Sequence, residues 1–131
     1  MNRTYIKTWD EYCDEHTFIF PVVVDTNFDN MNRIHPLKQG ICKNILNCHD
    51  VIDNCKQIIV FGSSVSMKCD DESDIDLAIE LKTDSVKNRN SVSESIGAIS
   101  DWNYDIIWLD DTIQNEPIYE KIKRGVYLLN E

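Results

Sequence analysis

The strongest constraint on the fold lies between residues 58 and 81. Ile58-Ile59-Val60-Phe61 is an apolar run too short for a helix, and Gly62 stops it. The run is read as a buried strand. Further on, Ser73 to Leu81 alternates, with Ile75, Leu77, Ile79 and Leu81 facing one way and Asp74, Asp76, Ala78 and Glu80 the other. This is the pattern of a second strand with a polar face.

The remaining segments supply helices and further strands. Leu37, Ile41, Ile45, Cys48 and Ile52 recur at three- and four-residue intervals, which predicts one helix from Pro36 to Ile52 with Pro36 in its first turn. A polar loop is expected at 82–90, followed by a short amphipathic helix marked by Val92, Ile96 and Ile99. Tyr104 to Leu109 reads as a third strand, carrying Asp105 among apolar and aromatic neighbours. Residues 116–124 form a last helix, with Pro117 at its start and Gly125 just past its end, and 126–129 add a short strand. The order describes a mixed α/β (α+β) domain. A chain of 131 residues sustains one hydrophobic core. Residues 1–35 are read as an acidic N-terminal extension before a domain at 36–131, and the run Thr17 to Val24 as an edge strand, since Pro21 cannot sit in a central one.

Charge narrows the function. With 23 acidic against 13 basic side chains the formal net charge is -10, and such a surface repels phosphate backbones, so direct nucleic-acid binding is not expected. No apolar run approaches the roughly 18 residues of a membrane span, and the first residues lack the layout of a signal peptide. No membrane partner is expected, and the location is expected to be cytoplasmic. The five cysteines contain no Cys-x-x-Cys pair and are read as reduced thiols, with Cys48-His49 the single neighbouring pair of metal-ligand type.

The chemistry is carried by Gly62-Ser63 at the end of one strand and Asp74-x-Asp76 at the start of the next. Residues two apart on a strand point to the same side, so the two carboxylates project together. Like charges held side by side repel unless a divalent cation neutralises them. Hard oxygen ligands of this kind suit magnesium, which shares its coordination with substrate phosphates. Asp105 is the candidate third carboxylate, ahead of Asp101, Asp110 and Asp111. Glycine lets the backbone turn sharply and approach a ligand, and a following helical turn would aim N–H groups at a phosphate. Together these parts describe nucleotidyl transfer, with pyrophosphate leaving. Seven acidic residues fall within positions 70–84, with Lys82 the one base there, so part of the negative excess reads as a demand for magnesium. Lys68, Lys82, Lys87 and Arg89 are the cations nearest the site in sequence, Glu80 is read as a supporting or solvated group, and Trp108 as core.

Ile59-Val60-Phe61-Gly62-Ser63 followed by Ser73-Asp74-Ile75-Asp76-Leu77-Ala78-Ile79 resembles the minimal nucleotidyltransferase (MNT) domain of the DNA polymerase beta-type superfamily, and Tyr104-Asp105-Ile106-Ile107 resembles the strand with its third aspartate. The resemblance implies a small mixed sheet flanked by helices. It also implies two magnesium ions on Asp74, Asp76 and Asp105, and nucleotide contacts from Gly62, Ser63 and Ser64. Many stand-alone members are antitoxins that transfer AMP from ATP to a tyrosine of a HEPN ribonuclease toxin, and this is the function expected here. The alternatives are transfer to a small cationic acceptor such as an aminoglycoside, and a non-catalytic antitoxin that works by binding. Family members commonly carry arginine soon after Gly-Ser, whereas Ser64, Val65, Ser66 and Met67 follow here.

Overall fold

A computed structural model of the protein describes residues 19–111 and 117–131. Helices α1 (Pro36–Leu46) and α2 (His49–Ile52) precede strand β1 (Cys55–Phe61), and β2 (Ile75–Leu81) follows. Helix α3 (Val86–Ile99) leads into β3 (Tyr104–Trp108), and α4 (Pro117–Lys123) into β4 (Val126–Asn130). The sheet order is β3-β2-β1-β4. β1 is antiparallel to both β2 and β4, and β2 and β3 run parallel. The architecture is the small mixed sheet with helices expected from the sequence.

Alternation along the strands divides the apolar residues between two faces. Ile58 and Val60 of β1, Ile75, Leu77, Ile79 and Leu81 of β2, and Val126 and Leu128 of β4 pack with Cys42, Ile45, Val51, Val92 and Ile96 from α1, α2 and α3. On the other face Ile59, Phe61 and Ala78 pack with Ile122 of α4. The side of β2 read as polar is therefore half covered. Ala78 is fully buried there, while Asp76 remains half-buried beyond the helix.

Differences from the sequence reading have local causes. The single helix expected from Pro36 to Ile52 is two helices, because Asn47 closes α1 with ψ near 0° and Cys48 is extended. Asparagine is a poor interior helix residue, and the two apolar stripes stay nearly in phase across the break. The loop expected at 82–90 contains the first turn of α3, where Ser85 Oγ accepts the Asn88 N–H at 3.1 Å. This cap starts the helix a turn and more before its first buried residue.

Thr17 and Phe18 of the expected edge strand lie outside the described residues, and Ile19 to Val24 form no strand. Their backbone is served by the buried Gln39 of α1. Its Oε1 accepts the Val23 N–H at 2.8 Å, and its Nε2 donates to the carbonyls of Pro21 at 2.8 Å and Ile34 at 3.0 Å. A side-chain amide thus replaces a strand partner. Met31 and Ile34, ahead of the expected domain start, are fully buried in the main core. Ile34→Ala is expected to lower unfolding free energy by about 2–5 kcal/mol, read by urea denaturation. A change near zero would show that this segment packs on a core complete without it.

Candidate active site

At the end of β1 the chain must leave the sheet without blocking the neighbouring carboxylate. Phe61 pairs with Asp76 of β2, and Gly62 follows with φ +73°, a left-handed backbone that L side chains rarely adopt. A Cβ at Gly62 would stand 2.5 Å from Asp76 Oδ2. Gly62–Val65 then form one 3-10 turn. The Gly62-Ser63 backbone is thereby brought directly against the Asp76 carboxylate.

Asp105 arrives from the other side. In the parallel β2–β3 ladder Asp76 and Asp105 are direct partners, so both side chains leave the same face of the sheet. Gly62, Ser63, Asp76 and Asp105 line one cleft of about 660 Å³. Burial, then the charges of Asp105 and Asp74, push the Asp76 carboxyl up to about 6, with Lys121 opposing. A hard cation shared by these carboxylates would relieve the repulsion.

Asp74 sits differently from the expectation. β2 begins at Ile75, so Asp74 lies just outside the strand, exposed and not among the residues that line the cleft, though close enough to raise Asp76. Among the described residues no three His, Cys, Asp or Glu side chains converge closely enough, as placed, to hold one ion. The donors are of the right chemical type and two share a register position. Drawing Asp74 in requires a side-chain movement at the strand end. The buried Lys38 of α1 anchors that end, its Nζ donating to the Ser73 carbonyl. Ser64 does not line the cleft: its side chain is fully buried, and its carbonyl accepts the His35 N–H at 2.7 Å. The 3-10 turn leaves this side chain facing inward.

Cations form much of the cleft wall. Arg33, Lys68, Lys121, Lys123 and Arg124 all line the cleft. They are 5 of the chain's 13 basic residues, gathered in one cleft with two carboxylates in a protein of net charge -10. Of the cations singled out from sequence, Lys68 alone is among them. Arg89 instead binds Asp84 at 2.6 Å and Asp111 at 2.7 Å, and lies over the Trp108 ring. Lys82 pairs with Glu131 at 3.1 Å. Asp101, Asp110 and Asp111 stay outside the cleft, and Glu80 Oε1 accepts from Gln57 at 2.6 Å. Lys121, Lys123 and Arg124 were hidden in an ordinary amphipathic helix. Close packing of the following Gly125, whose added Cβ would meet the Val60 carbonyl at 2.5 Å, sets the end of that helix against β1. Cys42, Cys48, Cys55 and Cys69 are free thiols, and burial pushes Cys42 and Cys55 up to about 12, so neither is a nucleophile at neutral pH.

The raised Asp76 carboxyl has a consequence for stability. The folded protein binds this proton more tightly than the unfolded chain, so its contribution is fully present below about pH 4 and is lost as pH rises through about 6. Asp76→Asn is therefore expected to raise the melting temperature of the metal-free protein at pH 7. The gain is about 1–2 kcal/mol, allowing for solvent screening at this open site, and vanishes near pH 4. A gain that persists unchanged at pH 4 would locate the effect elsewhere.

Comparison with known proteins gives the family and agrees with the fold. The family described as polymerase beta, nucleotidyltransferase matches residues 41–131. The chain belongs to that family, as its sequence motifs indicated. Among solved structures it is similar to a chain of the tri-AMPylated Shewanella oneidensis HEPN toxin in complex with MNT antitoxin. The TM-score is 0.50 and the identity 21%, over 72% of this chain and 73% of that one. No curated protein gives a significant match. No described helix is long and apolar enough to cross a membrane.

Proposed function

We propose that the protein is a magnesium-dependent nucleotidyltransferase that moves AMP from ATP to a hydroxyl of a protein partner, a tyrosine of a HEPN-type toxin, and so acts as an antitoxin. The observation that carries this reading is the make-up of one cleft: Asp76 and Asp105, in register on neighbouring strands, share its lining with Gly62-Ser63 and five cations. A nucleoside triphosphate needs both, because its phosphates are neutralised partly by metal and partly by cationic side chains. The neighbouring complex of a HEPN toxin with an MNT antitoxin, one partner of which carries AMP, supports the choice of acceptor class.

Asp74, Asp76 and Asp105 are assigned to hold magnesium, which when bound would lower the pKa of the acceptor hydroxyl and offset charge on the triphosphate. Gly62 and Ser63 present backbone N–H groups and a hydroxyl to the phosphates. The acceptor oxygen forms a bond to the α-phosphorus as the bond to the bridging β-phosphate oxygen breaks. Pyrophosphate leaves along the basic wall, and the hydroxyl proton passes to a carboxylate of the cluster. The same wall disfavours a small cationic acceptor, which it would repel. Co-incubation with the HEPN partner, ATP and magnesium, followed by mass spectrometry of the partner, is expected to find added AMP on a tyrosine and reduced ribonuclease activity. Inhibition of the ribonuclease without added mass would instead support an antitoxin that works by binding.

A further inference from the structure

Arg33 lies ahead of the segment matched by the family, yet it stands in the wall of the cleft. Two features separate it from the other cations there. Its backbone is fixed on both sides by core residues, since Met31 and Ile34 are fully buried. Its Nε is buried and meets no hydrogen-bond acceptor among the described residues. A donor withdrawn from water without a partner is costly, and such a cost is retained where a ligand supplies the acceptor. Lys68, Lys121 and Lys123, by contrast, are exposed, and an ammonium is a point charge without the guanidinium fork.

The position of Arg33 is also tied to the turn after β1. Two residues on, the His35 N–H donates to the Ser64 carbonyl at 2.7 Å, which fastens the 3-10 turn Asp29–Arg33 and its exit to the turn Gly62–Val65. Hence the guanidinium and the Gly62-Ser63 backbone approach the cleft as one unit.

Resting on the nucleotidyl-transfer reading above, we propose that Arg33 is a phosphate-binding residue of the nucleotide site, gripping the β- and γ-phosphates of the incoming triphosphate. The planar guanidinium offers two parallel donors that match phosphate oxygens, and a phosphate would satisfy the buried Nε. Arg33 thereby provides from the N-terminal side the arginine that is missing from 64–67. The pyrophosphate half of ATP is its target, so AMP should be indifferent to it.

Titration calorimetry on the full chain, with magnesium and either ATP, AMP or inorganic tripolyphosphate, tests the assignment. Arg33→Met is expected to weaken ATP and tripolyphosphate about 10- to 100-fold while changing AMP less than about threefold. Arg33→Lys, which keeps the charge and loses the fork, should recover part of the affinity. Equal binding of ATP by wild-type and R33M protein overturns the role of Arg33 and leaves nucleotidyl transfer standing. An equal loss for AMP and ATP overturns it too, because the residue would then serve the fold. Absence of ATP binding by the wild-type chain overturns the transfer reading and Arg33 with it. Should R33M fail to fold, phenylglyoxal labelling of the wild-type protein decides: ATP and tripolyphosphate are expected to shield Arg33 and AMP to leave it reactive, and equal labelling in all three contradicts the proposal.

Discussion

Replacing Asp74 and Asp76 together by alanine is expected to lower nucleotide transfer by about a thousandfold or more while leaving the fold intact. The reason is electrostatic. Asp76 is the half-buried member of the carboxylate group, pushed up by burial and by Asp105 and Asp74, and so the side chain with most to gain from a cation. Removing two carboxylates leaves Asp105 alone, too little charge to hold magnesium against its hydration. Stability should move the other way, since the substitutions relieve repulsion that the folded state bears at pH 7. Loss of activity with a raised melting temperature is the expected pair of results. Loss of both would mean that the variant is merely unfolded, and retained transfer would remove these aspartates from the mechanism.

Gly62→Ala is expected to damage the turn and the site together. It forces an L residue into φ +73°, which costs about 1–2 kcal/mol, and places a Cβ 2.5 Å from Asp76 Oδ2. Either the turn or the carboxylate has to move. A displacement near 1 Å at a reacting centre is enough for about a hundredfold loss in rate. The two contributions separate in a double-mutant cycle: in an Asp76→Ala background the steric part disappears and the backbone part remains. Denaturation and transfer assays on the four proteins read both. Additive effects of the two substitutions on stability would contradict direct contact between Gly62 and Asp76.

Much of this site could be read before the fold was known, and the limits of that reading are physical. β1 announces itself because burial on both faces leaves the continuous apolar run Ile58 to Phe61, and β2 because its charged side imposes a period of two on Ile75 to Leu81. The pairing of Asp76 with Asp105 follows from the parallel crossover through α3, a topology that the order of strand, helix and strand suggests. The basic wall was not legible. Arg33 reaches the cleft because Met31 and Ile34 are buried beside it, and Lys121, Lys123 and Arg124 because α4 folds back over Ile59 and Phe61. Such positions depend on tertiary packing across many residues and leave no local pattern. The burial of Ser64 was likewise not legible: adjacency to Gly62-Ser63 suggested a ligand contact, whereas the 3-10 turn buries its side chain.

The central claim is magnesium-dependent transfer of a nucleotide rather than of a terminal phosphate. ATP labelled at the α-phosphorus or at the γ-phosphorus, incubated in parallel with the protein, its HEPN-type partner and magnesium, measures it most directly. The account predicts that α-label becomes covalently attached to the partner, that γ-label is recovered as pyrophosphate, and that chelation with EDTA stops both. Attachment of γ-label to the partner, or transfer of α-label undiminished by EDTA, would contradict it.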